Sequence, residues 1–264
     1  MEADTLRVRA NSRRSFLLRR LHSLSGIFPV GIFLVSHLFT NAKAQRGQAF
    51  FDRAVAEINH LPFLPLLEIF GIFIPLAFHA LYGVKLAFEG RVNVGRYPYS
   101  RNVLYTLQRA SGLVAFLFIG WHLWEFRIPK LLGSMSADAF YPTLESHLSS
   151  TYNGFPVLAV VYLIGIAASV FHFANGLFTF SFSWGICLTR RSQRLFATAF
   201  ALFGAVVFVM GAQTALYFAT GAQFPILSDP NSSPTFEQCS VVDPTPRMPE
   251  PPGASSAAPS SPNH

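Results

Sequence analysis

The sequence predicts an all-α polytopic membrane protein, a bundle of five transmembrane helices, and three observations predict it. Apolar residues make up 51% of the 264 and charged residues only 12%, too little polar material to clothe a soluble domain of this length. Nearly charge-free stretches recur at 21–42, 61–84, 110–124, 146–189 and 195–228, against a hydrocarbon core of roughly 30 Å. The cations stand between these stretches rather than within them.

The first stretch follows a basic arm at residues 1–20 and contains Pro29 and His37. An arginine-rich start, an apolar run and Asn41-Ala42-Lys43-Ala44 also fit a secretory signal peptide. The run is longer than a usual signal core, however, and has a counterpart later in the chain, which favours a retained span. Glu68 is the only charge in the second stretch, which holds Pro75 and His79. The third is short and lengthens when Arg109 snorkels to the surface. Gly154-Phe155-Pro156 divides the fourth into an interfacial segment and a helix. The fifth closes a bundle domain placed at 21–225, leaving 226–264, rich in Pro and Ser with no apolar period, as an expected disordered tail.

Orientation follows from the cations. One side receives Arg7, Arg9, Arg13, Arg14, Arg19 and Arg20, then Lys85, Arg91, Arg96, Arg101 and Arg109, then Arg190, Arg191 and Arg194. That is fourteen of the 20 Lys and Arg, so the positive-inside rule puts the N-terminus in the cytoplasm and the C-terminus outside. The net charge of +7 is then mostly topology and not a nucleic-acid footprint, because the cations flank spans instead of forming one basic face. Cys187 and Cys239 fall on opposite sides and cannot pair within one chain.

A loose internal repeat runs through the spans. SLSGIFPVGIFLVSH in the first answers RASGLVAFLFIGWH in the third: Ser25-Gly26 and Ser111-Gly112 each lead to a histidine ten or eleven residues later. In the second and fourth, His79-Ala-Leu-Tyr-Gly83 answers His172-Phe-Ala-Asn-Gly176, with a Phe before each histidine. The fifth span has no histidine. At about 1.5 Å of rise per residue, His37 and His122 lie roughly 21 Å from the cytoplasmic side, and His79 and His172 about 6 Å from it. Four histidines thus form two layers of two, on the order of 15 Å apart.

A single histidine on an apolar face is commonly a satisfied packing residue, and the glycines and prolines of these spans equally fit ordinary close packing of membrane helices. Four histidines at matched depths point to function. Two facing imidazoles with nothing else suit a metal whose other positions are already filled, as in a porphyrin. A bare zinc ion wants three or four protein ligands, and proton relays usually mix in carboxylates, which the deep parts of these spans lack. A transporter using histidines for protons or metal ions is the alternative from another class.

These strings, RRLHSLSGIFPVGIFLVSHLF, LPFLPLLEIFGIFIPLAFHALYGV, LQRASGLVAFLFIGWHLWE, FHFANGL and WGICLTRRSQR, closely resemble the five-helix cytochrome b subunit of succinate:menaquinone oxidoreductases. They resemble that of dihaem fumarate reductases more distantly, and the likeness covers about residues 15 to 220. The resemblance implies a membrane anchor and electron-transfer subunit in a bacterial cytoplasmic membrane, with two haems b and menaquinone as acceptor. It implies an inner haem on His79 and His172 and an outer haem on His37 and His122. A flavoprotein and an iron–sulfur subunit would dock on the cytoplasmic face, near 91–101 and 190–194, and no succinate-oxidising centre would lie on this chain. His22 and Ser23 match the position that meets the inner haem's propionates, with Arg19 and Arg20 close by. His60, Trp121, Trp124 and Glu125 lie near the outer haem's level as candidate quinone contacts, although aromatic residues there also form interfacial belts. Where some fumarate reductases carry a proton-conducting glutamate two residues before the fourth histidine, this chain has Val170. A dihaem cytochrome serving another dehydrogenase, such as formate dehydrogenase or hydrogenase, is the alternative within the same class.

Overall fold

A computed structural model describes residues 2–223, with side chains from residue 12 onward. The expected tail and Cys239 lie outside the described residues. Within them the regular structure is helical, with one isolated bridge between Tyr152 and Phe155. Lipid offers no partner to backbone N–H and C=O groups, so a spanning segment must satisfy them internally. The helices are α1 (Glu2–Ile27), α2 (Val30–Ala42), α3 (Gln48–Asn59), α4 (Leu64–Glu68) and α5 (Ile74–Glu89). There follow α6 (Ser100–His122), α7 (Ile128–Leu131), α8 (Phe140–Ser149), α9 (Val157–Ser183) and α10 (Arg190–Thr220).

Five spans result: Ser12–Arg46, Leu64–Glu89, Ser100–Leu131, Val157–Ser183 and Arg190–Thr220. The chain is a multi-pass membrane protein. The stretch expected as a basic arm is helical from Glu2 and runs without a break into the first span. The third span begins ten residues before the charge-free stretch at 110–124, because a helix continues past the apolar slab when its inner turns project their cations outward. Arg101 does this against Gln193 of α10, and Arg109 lays its guanidinium over the Tyr105 ring at 3.4 Å.

Proline shapes the spans locally. Pro29 separates α1 from α2 within the first. The second and third contain π turns, Ile69–Phe73 and Leu123–Arg127, each followed by a proline two residues on, Pro75 and Pro129. A proline offers no N–H and crowds the preceding turn, and a widened turn accommodates both effects. Between α8 and α9 the chain reverses through Asn153 and Gly154, both at positive φ, at the Gly154-Phe155-Pro156 break.

α9 is the central helix, packed against α6 and α10. Its buried residues Ala159, Tyr162, Ile166, Ser169, Val170 and Ala174 recur at helical spacing. Gly204 and Gly211 let α10 approach closely: a Cβ on Gly204 would meet the Ala174 methyl at 2.7 Å, and one on Gly211 the Ile166 side chain at 2.9 Å. α10 opens on a capping box between Thr189 and Ser192 and closes at Gly221 in the left-handed conformation. It also packs on α2 and so braces the histidine-bearing spans from outside. Large side chains such as Phe70, Leu117, Leu202 and Val206 are exposed, as a surface facing lipid requires.

One end of the bundle is capped. α3 and α8 lie over it, burying Phe51, Tyr141, Leu144 and Leu148 against Phe126, Tyr217 and Phe218. The Tyr141 and Tyr217 hydroxyls share a hydrogen bond of 3.0 Å. Burial, aided by that bond, pushes the Tyr141 phenol above its ordinary pKa.

Candidate functional site

α5 presents His79 and α9 presents His172, with ring centroids 6.0 Å apart and planes at 82°. Each ring is held by a backbone carbonyl. His79 Nδ1 lies 2.9 Å from the His22 oxygen, and His172 Nδ1 lies 2.9 Å from the Gln108 oxygen. A carbonyl can only accept, so Nδ1 carries the proton in both rings and Nε2 keeps its lone pair, the form a metal ligand needs.

The Ser-Gly repeat builds both holds. Four residues after His22 comes Gly26, where a Cβ would stand 2.2 Å from His79 Cε1. Four residues after Gln108 comes Gly112, where a Cβ would stand 2.7 Å from His172 Cε1. The serine between donates to the same carbonyl each time, Ser25 to His22 at 3.0 Å and Ser111 to Gln108 at 3.2 Å. The motif therefore offers an accepting carbonyl with a vacant side-chain position one turn further on, into which the histidine of a neighbouring helix fits.

The second pair is His37 on α2 and His122 at the end of α6, with centroids 5.9 Å apart and planes at 72°. Phe33 lies against His37, and Phe118 and Phe126 lie against His122. Gly112, beside His172, precedes His122 by ten residues of one continuous helix, or about 15 Å. The holds here come from side chains. Tyr162 Oη stands 3.3 Å from His122 Nδ1 and donates to Glu125 Oε2 at 2.9 Å. Glu125 Oε1 accepts from His147 Nδ1 at 2.6 Å. Asn41 donates to the His37 carbonyl at 2.8 Å and lies 3.3 Å from its Nε2.

Both separations suit one metal atom between two imidazoles, since bonds of about 2 Å to a nitrogen of each ring leave the centroids about 6 Å apart. Among the described residues no three His, Cys, Asp or Glu come together to bind a bare ion. The donor set thus fits haem iron, which takes an axial ligand from each face. His22 adds a second observation. Its ring stacks on His79 at 4.2 Å with planes 7° apart, and its buried Nε2, lodged against Gly83, has no hydrogen-bond partner in the protein. A buried polar atom so placed suits an acceptor on a bound molecule.

Residues 91–212 match the model of the succinate dehydrogenase/fumarate reductase transmembrane subunit. The chain is 44% identical over 185 residues to the succinate dehydrogenase cytochrome b558 subunit of Bacillus subtilis (strain 168), covering 70% of this chain and 88% of that protein. The chain belongs to the succinate dehydrogenase/fumarate reductase transmembrane subunit family. No solved structure matches it. Membership makes it a transmembrane subunit of the succinate dehydrogenase/fumarate reductase kind, a multi-pass protein of a bacterial membrane.

In this cytochrome b subunit the structure distributes the remaining candidates unevenly. Arg19 pairs with Glu89 of α5 at 3.3 Å. Arg20 donates to the Ser183 carbonyl at 2.6 Å with its guanidinium over Phe16 and Trp184, and Ser23 accepts from Trp184 Nε1 at 3.1 Å. Arg20 and Ser23 therefore engage the end of α9, while Arg19 and His22 face α5. Trp121 and Glu125 converge on Tyr162, beside His122. His60 is exposed, with Nδ1 bonded to its own Ala56 carbonyl, and Trp124 is 69% exposed. Those two do not join the group around His122. Val170 is buried in the packing between α9 and α10.

Sequence reasoning missed Gln108, Tyr162 and His147. Gln108 had a readable signal, because it holds in the third span the place His22 holds in the first. Tyr162 offered as a signal only its hydroxyl within an apolar helix, and His147 had none.

Proposed function

We propose that this subunit links an iron–sulfur partner on the cytoplasmic side to menaquinone near the outer face, with His79 and His172 holding an inner haem b and His37 and His122 an outer one. The observation that supports this best is the double pairing of imidazoles about 6 Å apart, each inner ring turned by a carbonyl so that Nε2 is free. Bound there, the haems supply one-electron redox chemistry at two depths of the bilayer. The residues orient the ligands and exclude water: glycines admit the rings, and Phe33, Phe118 and Phe126 wall the outer pair.

His22, with its unpartnered Nε2, and Arg19 would meet inner-haem propionates, and Arg20 and Ser23 would fix the end of α9 beside them. The N-terminus lies in the cytoplasm and the C-terminus outside, as the cation distribution supports. On the cytoplasmic side Arg91, Asn93, Tyr99, Arg101, Asn102 and Tyr105 line an open depression of about 560 Å³, whose two arginines give the iron–sulfur and flavoprotein subunits a basic place to dock. Succinate oxidation would take place on those partners and not on this chain. Trp121 and Glu125 are the favoured quinone-side residues, with His60 and Trp124 more peripheral. Reduction near the outer face moves electrons toward the positive side, so the membrane potential assists it.

A reduced-minus-oxidised spectrum of the purified complex tests the reading. Two b-type haems per chain are expected, and a colourless chain would point to the transporter alternative. Succinate:menaquinone reductase activity of the complex separates this role from service to another dehydrogenase.

A further inference from the structure

Glu125 is a carboxylate with a side chain only 11% exposed, three residues after His122 and inside a π turn. Its neighbour Trp124 is exposed, while the turn directs Glu125 toward Tyr162 of α9 and His147 of α8. Widened turns of this kind often re-aim a side chain at a functional site. Both carboxylate oxygens are satisfied, one by the Tyr162 hydroxyl and one by the His147 ring. Tyr162 is 6% exposed and wedged between the Phe118 and Trp121 rings, so its hydroxyl has a fixed direction. α8 is itself anchored through Leu144 and Leu148.

Hydrogen-bond polarity then runs one way. The single Tyr162 proton goes to Glu125, so the Tyr162 oxygen offers His122 only lone pairs. His122 Nδ1 must be the donor across the 3.3 Å contact, and Nε2 is left bare. We propose that Glu125 is a positioning residue for His122, acting through Tyr162 to fix the ring's tautomer and to lower the potential of the outer haem. The second half follows from charge: a carboxylate one hydroxyl away draws the Nδ1 proton outward, makes the imidazole a stronger donor and favours the oxidised metal. The inner ligands face neutral carbonyls and lack this pull.

The inference rests on the reading that His37 and His122 hold a haem, and the experiment separates the two. Each haem of the intact complex is titrated by its spectrum in wild type, Glu125→Gln, Glu125→Asp, Tyr162→Phe and the Glu125→Gln/Tyr162→Phe double variant. Glu125→Gln is expected to raise the outer potential and leave the inner one unmoved, with Glu125→Asp restoring part of the shift. Tyr162→Phe should also raise it, and the double variant no further than Tyr162→Phe alone. An unmoved outer potential in Glu125→Gln, or additive shifts in the double variant, would overturn the positioning role. If Glu125→Gln loses the outer haem, Tyr162→Phe, nearly unchanged in volume, decides by the same titration. A wild type with one haem would instead sink the two-haem reading.

Discussion

The two histidine layers have nearly the same ring separation and differ in everything behind the rings. Backbone carbonyls of His22 and Gln108 hold the inner pair, through a motif that occurs twice. At the outer pair side chains take this place, Tyr162 and Glu125 behind His122, while Asn41 stands 3.3 Å from the Nε2 of His37. A carbonyl in a helix is neutral and cannot be deleted by a side-chain substitution. A tyrosine–carboxylate hold adds charge and can be altered residue by residue. The difference teaches that one geometry can be reached by a rigid route and by a tunable one, and the tunable one stands next to the proposed quinone end.

The largest expected effect is on haem content. Replacing His79 or His172 with Ala should remove one haem of two, the same one in both variants, and replacing His37 or His122 should remove the other. Difference spectra with redox titration check this, and loss of the outer haem from a His79 variant would break the pairing by depth. Gly26→Val and Gly112→Val come next. Each would drive a side chain into a ring that has no room to retreat from its carbonyl, so the inner haem should be lost and the outer one kept. Gly120, with nothing within 4 Å of a built Cβ, is the control: Gly120→Ala should leave both haems in place.

The outer layer alone lies under the α3–α8 cap. Phe51→Ala empties a site 3% exposed and should cost about 3–5 kcal/mol, by analogy with other buried aromatic truncations. Thermal unfolding in detergent, followed at both haem bands, should show the outer haem released at a lower temperature than in wild type. The smallest effect belongs to Arg19. Its pair with Glu89 is about half exposed, so Arg19→Gln should change unfolding stability by less than about 1 kcal/mol. A change confined to the inner haem's spectrum would support the propionate role.

Much of the site was legible because hydrocarbon tolerates so few polar groups. Four histidines in apolar runs could be assigned depths by counting helix rise, and in the structure the His79 ring lies against His172 and the His37 ring against His122. The Ser-Gly repeat was visible as a pattern, but its purpose was not, since a vacant Cβ position has meaning only once the facing ring is known. The third span's charge-free stretch begins at Ala110 and was expected to lengthen past Arg109, and its helix starts at Ser100, because composition marks the apolar slab and not the helix that continues beyond it. α3 and α8 were not foreseen as a cap. Their patterning is that of interfacial helices, and which surface they cover depends on where the spans end.

By itself the sequence determined the five spans and the histidines available along them, and its cations gave an expectation of sidedness, all consequences of lipid excluding charge and of the fixed rise of a helix. Only the tertiary structure decided which carbonyl turns each inner ring, that Gly26 and Gly112 stand opposite His79 and His172, and that Tyr162, Glu125 and His147 meet behind His122. Those contacts join residues 22 to 64 positions apart. Their formation depends on how helices rotate and pack against one another, which local patterning does not encode.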